Sequence, residues 1–192
     1  MSGRRTAGSD AGSADEGLGA ALRLTTGVTV LTARADGRMH GSTVSAAGLV
    51  SRNPPVVAAG LRPDSALLEL AHGSGRFAVN VLSGRQALLA DWFANPERPV
   101  GAAQFEPLGW APDPETGLPL LGHALAHLIC RVSGRFAVGD HELLLGTVET
   151  GRHGSGTPLI SFEGALHGAE FHEVPRRRGR RGVTGALAVA LD

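Results

Sequence analysis

Residues 41–55 read GSTVSAAGLVSRNPP, and the other predicted elements are arranged around this stretch. It begins with hydroxyl side chains at Ser42, Thr43 and Ser45, continues with small residues, and ends at an Asn-Pro-Pro stop. On an extended strand Thr43 and Ser45 lie two residues apart, so both hydroxyls face the same side. Two interpretations fit: a strand with a polar outer face, or a wall that holds a flat polar heterocycle through hydroxyls and backbone N–H groups.

The composition limits the chemistry that is available to the chain. Its 192 residues suffice for one domain with a sizeable core, and the 18 acidic residues balance the 18 basic ones. We therefore expect neither a nucleic acid nor a membrane as partner. The chain contains no lysine, which excludes Schiff-base chemistry and a P-loop, and no tyrosine. A single cysteine, Cys130, excludes an internal disulfide and suits a reducing cytosol, so a cytoplasmic location is expected.

Three segments of the chain differ in composition. Residues 1–16 are small, polar and aperiodic, and they predict a disordered arm. Residues 17–172 carry the strand patterns and form the predicted domain. Residues 173–192 contain the run RRRGRR and are predicted to be a basic, disordered tail. The apolar end GALAVAL is far shorter than the roughly 20 residues that a membrane span needs.

Strand patterns outnumber helix patterns along the domain. Asp36-Gly37 predicts a tight hairpin between the first two strands. A helix is predicted after Pro63, with Asp64 or Ser65 as its N-cap, and another over residues 85–94. The long Pro- and Gly-rich stretch 95–118 has the length of a functional lid. The predicted strands cover residues 28–34, 39–45, 56–61, 77–82, 123–138, 142–150 and 158–162.

This order of elements predicts the fold class. About seven strands and two or three short flanking helices occur without regular βαβ alternation. The fold is therefore expected to be mainly β, an antiparallel barrel with helices packed outside it.

Several common catalytic motifs are absent from the sequence. There is no Gly-x-Gly-x-x-Gly fingerprint of a Rossmann nucleotide site and no Gly-x-Ser-x-Gly nucleophile elbow. His123 and His127 are four residues apart, like two ligands on a metalloprotease helix, but their surroundings predict a strand. On a strand they would be about 13 Å apart, too far to share one metal ion. We expect no metal site.

The order and spacing of the motifs resemble the flavin reductase family, the FMN-binding split barrels that serve as reductase partners in two-component flavin monooxygenases. The resemblance covers residues 22–171 and implies a split β-barrel of Greek-key type. The matching segments are Thr26–Thr32, Asp36-Gly37, Gly41–Ser45, Asn53-Pro54-Pro55, Gly75–Leu82, Phe93, Gly139-Asp140-His141 and Leu145–Val148.

The resemblance also implies roles for individual residues. Arg62 and Ser65 fall where the family holds the flavin phosphate, and the N–H groups of a helix that starts there favour an anion. Asn80 would lie near the edge of the flavin ring, and His141 would be the catalytic residue beside the nicotinamide. The residues that would line the ring and its ribityl chain are Ser42, Thr43, Val44, Ser45 and Ala46.

Simpler roles for two of these residues stay open. Ser65 fits a helix cap as well as a phosphate ligand, and His141 fits a turn histidine. The sequence also departs from the family pattern. Ala47, Gly48 and Leu49 stand where a phenylalanine and serines are common, and Asp64 would oppose a phosphate unless it points away.

The resemblance implies an NAD(P)H-dependent flavin reductase. It would take FMN or FAD as flavin and NADH or NADPH as hydride donor, and it would supply reduced flavin to a partner monooxygenase. The family is usually homodimeric, so a homodimer is expected. Two alternatives remain open on sequence: a non-catalytic flavin- or haem-binding split barrel, and an interaction module that uses the basic segment 176–181.

Overall fold

The structure is a computed structural model that describes residues 9–173. Its helices are α1 (Ser9–Ala21), α2 (Ala66–Ser74), α3 (Ala87–Ala94) and a short 3-10 helix, Gly101–Gln104. Its strands are β1 (Thr26–Gly27), β2 (Thr29–Ala35), β3 (Arg38–Val44), β4 (Ala47–Arg52), β5 (Pro55–Leu61), β6 (Arg76–Val81), β7 (Trp110–Pro112), β8 (Pro119–Leu121), β9 (Ala126–Val138), β10 (His141–His153), β11 (Leu159–Phe162) and β12 (Ala165–Gly168).

The main sheet has seven strands in the order β3-β2-β6-β9-β10-β5-β4, and every pairing in it is antiparallel. Its two edge strands, β3 and β4, follow each other in the chain, and β3 lies close to β5 across the gap between the edges. A three-stranded sheet, β1-β11-β12, and a two-stranded one, β7-β8, complete the fold. The predicted mainly β, antiparallel architecture is confirmed.

The predicted β2–β3 hairpin turns at Asp36 and Gly37. Both residues have positive φ angles, 50° and 75°, which is the backbone that an Asp-Gly pair adopts most readily in a two-residue hairpin loop. The turn fixes the register in which Ala35 faces Arg38 and Thr29 faces Val44. This register brings the hydroxyl-bearing end of β3 beside the start of β2.

Strand β2 is buried on both faces, and it separates two apolar clusters. On one face Leu31 and Ala33 pack with Phe77 and the apolar side of α2. On the other face Val30 packs with Phe93 of α3, and these belong to the second cluster. The two helices therefore cover opposite faces of the sheet, and both contact β3.

Several boundaries differ from the sequence-based prediction. The arm predicted as disordered over residues 1–16 is helical from Ser9, because alanine and glutamate favour a helix even where an apolar stripe is weak. The strand predicted over residues 123–138 begins only at Ala126, because His123 has a φ of 59° that interrupts extended backbone. Five strands have no counterpart among the predicted ones: β1, β4, β7, β8 and β12. Residues 1–8 and the predicted basic tail beyond residue 173 lie outside the described residues.

Within residues 9–173 no helix has both the length and the apolar content that crossing a bilayer demands.

Candidate functional site

A cavity of about 450 Å³ lies where β3 and β5 meet the start of α2 and the residues after α3. We call it the central pocket. Six of the residues singled out by sequence line it: Ser42, Thr43, Val44, Arg62, Ser65 and His141. The structure thus brings together residues that are up to 99 positions apart in the chain.

Two cavities of about 710 and 870 Å³ are much larger than the central pocket and lie elsewhere on the surface. One lies beside Arg76 and Glu149, and the other beside Ser83 and the glycine-rich segment 154–157. Neither is lined by any residue predicted for the site. The chemistry therefore points to the central pocket despite its smaller volume.

The wall formed by β3 is held from behind by α3. The Thr43 hydroxyl donates to the carbonyl of Ala90 at 2.6 Å, which ties the strand to the helix. A side chain at Gly41 would overlap the ring of Phe93, so only glycine lets this ring pack so closely against the strand. The ring of Phe93 also lines the central pocket, so the strand and the helix shape it together.

The first turn of α2 forms the cationic end of the pocket. Ser65 is the N-cap, and its hydroxyl oxygen accepts a hydrogen bond from the Leu67 amide at 3.3 Å. The hydroxyl proton of Ser65 remains available to a ligand, so the cap and the ligand roles are compatible. Arg62 Nε is 3.8 Å from Asp64 Oδ1, and both side chains are largely exposed, so this ion pair is weak. Asp64 therefore engages Arg62 and lines the same end of the pocket.

Three predicted ligands lie outside the pocket lining. Strand β3 ends at Val44, so Ser45 and Ala46 form an exposed bend before β4 and do not continue the row of hydroxyls. The Ala46 carbonyl accepts from the Gly60 amide at 2.8 Å, which anchors this bend beside the pocket.

Asn80 is the third predicted ligand that does not line the pocket. Its side chain is wholly buried, donates to the Val30 carbonyl at 3.0 Å and accepts from the Leu121 amide at 2.8 Å. Its hydrogen bonds join β6, β2 and β8. Both polar atoms of the Asn80 side chain are therefore engaged inside the core, and the structure does not bring Asn80 to the pocket lining.

His141 begins β10 at the rim of the pocket. The Gly139-Asp140 turn places it there, with Gly139 at a φ of 59°. Its Nδ1 lies 2.9 Å from Asp140 Oδ1, and this hydrogen bond is the main reason that the pKa of the Asp140 carboxyl is lowered. An ionised carboxylate only accepts, so Nδ1 donates and Nε2 is left free for another group.

Two titratable residues of the pocket were not singled out from sequence: His40 on β3 and Arg98 after α3. Arg98 Nη2 lies 3.0 Å from His40 Nε2 and donates to the Gly41 carbonyl at 2.6 Å. Burial, and then the nearby Arg98 charge, lower the pKa of His40 to about 4, so the imidazole is neutral at pH 7. Arg98 lies inside the loop predicted to be functional by its length, which was the only sequence signal for it.

The lining of the central pocket fits a flavin. Glycine and alanine at Gly60, Ala66 and Ala94 leave room for a flat ring, and Phe93 adds an apolar surface. A helix N-terminus with Arg62 provides the charge that a phosphate needs. Buried Arg98 Nε has no hydrogen-bond partner among the described residues, so the polar groups of the pocket are not all satisfied by the chain itself.

Comparisons with known proteins point to one family. The model of the flavin reductase like domain matches residues 21–170. An NADPH-flavin oxidoreductase of Streptomyces viridifaciens is 43% identical over 159 residues, 82% of each chain. A flavin reductase (NADH) of Kitasatospora aureofaciens is 37% identical over 173 residues, 88% of this chain and 85% of that protein.

A solved structure supports the same assignment. The crystal structure of BorF, the flavin reductase component of a bacterial two-component tryptophan halogenase, matches with a TM-score of 0.76 and 30% identity. The match covers 83% of this chain and 99% of BorF. Together with the family model, which spans most of the described residues, these similarities show that the chain belongs to the flavin reductase family.

Proposed function

We propose that this protein is an NAD(P)H:flavin oxidoreductase that reduces FMN or FAD and supplies the reduced flavin to a separate monooxygenase. The observation that carries this function is the central pocket. It joins a strand wall with small side chains, a cationic helix start and a histidine at the rim, within a chain of the flavin reductase family.

The flavin, when bound, supplies the hydride acceptor, and the protein supplies orientation and electrostatics. Backbone groups of Ser42 and Thr43, together with the Ser42 hydroxyl, position the ring. Arg62, the Ser65 hydroxyl and the free amides of the first turn of α2 bind the phosphate. Since none of these groups has to move a proton from carbon, the chain needs no strong acid or base.

His141 is the proposed contact for the nicotinamide. Asp140 keeps the proton on Nδ1, so Nε2 can accept a hydrogen bond from the carboxamide of the nicotinamide. Such a contact would restrict how the nicotinamide lies over the flavin, and orientation of this kind accelerates transfer. His141 is about half exposed, which leaves it reachable by a coenzyme that arrives from solvent.

We also propose that the protein is a homodimer in the cytoplasm. Edge strand β4 exposes Leu49 and Val50, and the β9–β10 hairpin exposes Phe136 and Val138, each by more than half. Apolar side chains beside an unpaired strand edge are surfaces that a second copy can cover. Light scattering in solution tests the dimer, and a monomer mass would contradict it. The free thiol of buried Cys130 suits a reducing compartment.

The function is tested by mixing the protein with NADH or NADPH and with FMN or FAD under anaerobic conditions. Loss of nicotinamide absorbance together with bleaching of the flavin is the expected result. A protein that binds flavin without consuming either nicotinamide would instead be a non-catalytic flavin carrier. A deletion of residues beyond 175 that leaves turnover intact would exclude a role of the basic tail in this reaction.

A further inference from the structure

Arg98 is a half-buried cation whose guanidinium is fixed in place beside the central pocket. Nη1 donates to the Asn95 carbonyl at 2.7 Å, and Nη2 donates to the Gly41 carbonyl at 2.6 Å. Nη2 also faces His40 Nε2 at 3.0 Å. All these partners are neutral, so they orient the positive charge without neutralising it.

No carboxylate among residues 15–173 lies within 4.0 Å of Arg98. Burial lowers the pKa of its guanidinium, and no acidic neighbour acts in the opposite direction. A buried charge without a counter-ion is unfavourable. Native proteins therefore pair such a charge with an opposite one or use it to bind a charged ligand. An anion that binds in the pocket would lower the free energy, because it would neutralise the charge of Arg98.

His40 helps to hold the Arg98 guanidinium in place and adds no charge of its own. An arginine can only donate, so the Nε2 atom of His40 must accept, and the proton of the neutral ring lies on Nδ1. A protonated His40 would place a second cation against Arg98. The neutral ring instead holds the guanidinium and leaves its charge for a ligand.

The other arginine of the pocket differs in this respect. Arg62 is paired with Asp64 and largely exposed, whereas Arg98 is half-buried and has no acidic partner among the described residues. Since electrostatic interactions weaken in water, a charge at Arg98 acts on a bound ligand more strongly than a charge at Arg62.

We propose that Arg98 binds and stabilises a negative charge of the flavin in the central pocket. This inference rests on the proposed function and extends it to a residue that neither the motifs nor the resemblance assigned. Two parts of a flavin offer the negative charge: the phosphate of the nucleotide, and the isoalloxazine ring once it has been reduced. Both sources share an anionic group that Arg98 would neutralise.

The experiment compares Arg98→Gln with Arg98→Lys, which keeps the charge. Arg85→Gln is the matched control, because Arg85 is exposed and does not line the central pocket. Dissociation constants are measured anaerobically for riboflavin and FMN, each in its oxidised form and after reduction by dithionite. Thermal unfolding of every variant shows whether the fold is retained.

Arg98→Gln is expected to weaken binding of the anionic ligand by roughly 10- to 100-fold, the effect of a charged hydrogen bond. Arg98→Lys should restore most of this loss, and Arg85→Gln should change nothing. A loss for FMN in both redox states, with riboflavin unaffected, identifies the phosphate. A loss for reduced riboflavin and reduced FMN, with the oxidised forms unaffected, identifies the reduced ring.

Two results would overturn the proposal. One is equal weakening of all four ligands, which indicates a steric role for Arg98. The other is unchanged binding by a folded Arg98→Gln protein. A wild-type protein that binds flavin through Arg98 but consumes no NADH or NADPH would contradict only the proposed function. A wild-type protein that binds no flavin would contradict both.

Discussion

The amide of Gly41 donates a hydrogen bond to the side-chain oxygen of Gln104, 2.9 Å away, although the two residues are 63 positions apart. Gly41 lies on edge strand β3, and Gln104 ends the 3-10 helix in the long loop after α3. The side chain of Gln104 is wholly buried, and its amide nitrogen donates to the Gly101 carbonyl at 2.8 Å. The loop therefore supplies a hydrogen-bond acceptor to a backbone N–H group of edge strand β3.

Replacing Gln104 with leucine should destabilise the protein by about 1–3 kcal/mol, because the buried amide of Gly41 loses its acceptor. Urea unfolding followed by circular dichroism measures the change. Ser51→Ala is the control, since the Ser51 hydroxyl bonds to the Pro54 carbonyl at an exposed position. Equal stability of Gln104→Leu and the wild type would mean that the Gly41 amide finds another partner.

Gly41→Ala should cost roughly 1–3 kcal/mol through overpacking, because the added methyl group would overlap the ring of Phe93. The displaced ring should also reduce flavin affinity, since Phe93 lines the central pocket. Gly48→Ala is a matched control on the neighbouring strand, where nothing lies within 4 Å of an added methyl group. Thermal unfolding and flavin titration check both effects, and identical behaviour of the two variants would contradict the packing argument.

Substitutions at Ser65 can separate its capping role from the phosphate-binding role that we propose for it. Ser65→Ala should lose about 0.5–2 kcal/mol of stability with the cap, together with affinity for FMN. Ser65→Asp should keep the cap, because aspartate is an equally good N-cap, yet repel the phosphate. Titrations with FMN and riboflavin test this difference. If Ser65→Asp binds FMN as tightly as the wild type, the phosphate lies elsewhere.

His141→Ala should raise the KM for the nicotinamide roughly 3- to 10-fold, which corresponds to the loss of one neutral hydrogen bond. The dissociation constant of the flavin should stay unchanged, because the coenzyme and not the flavin uses this contact. His153→Ala, at the exposed far end of β10, is the control. Steady-state kinetics with flavin titrations give both constants, and a change in flavin affinity alone would argue against the proposed nicotinamide contact.

His40 should make stability depend on pH in a defined window. Its pKa is about 4 in the folded protein and 6.5 ordinarily, so between these values only the unfolded chain takes up the proton. The free energy of unfolding should therefore decrease as the pH falls from 6.5 to 4, by on the order of 1–2 kcal/mol after screening by water. His40→Gln should remove this part of the slope. Parallel profiles for wild type and variant, from urea unfolding at each pH, would contradict the assignment.

The sequence was sufficient where a local pattern determines the structure. The Asp36-Gly37 turn and the Ser65 cap left short signals that the structure confirms, and the order of the family motifs agrees with the family match. Asn80 shows the limit, because its motif did not reveal that the side chain would bond to β2 and β8 inside the core. Arg98 shows the converse. Arg98 contacts Gly41 only because the loop after α3 folds back onto β3, and no local sequence pattern predicts this contact.

The exposed rim of the central pocket has a consequence for how the protein operates in air. Arg62 and His141 at this rim are reached by water, and no described segment covers them. Dioxygen can then approach by the same opening through which a product departs. When no acceptor enzyme is nearby, the reduced flavin should pass its electrons to dioxygen and form hydrogen peroxide, so the yield of the coupled monooxygenase reaction would depend on how fast the partner binds the reduced flavin.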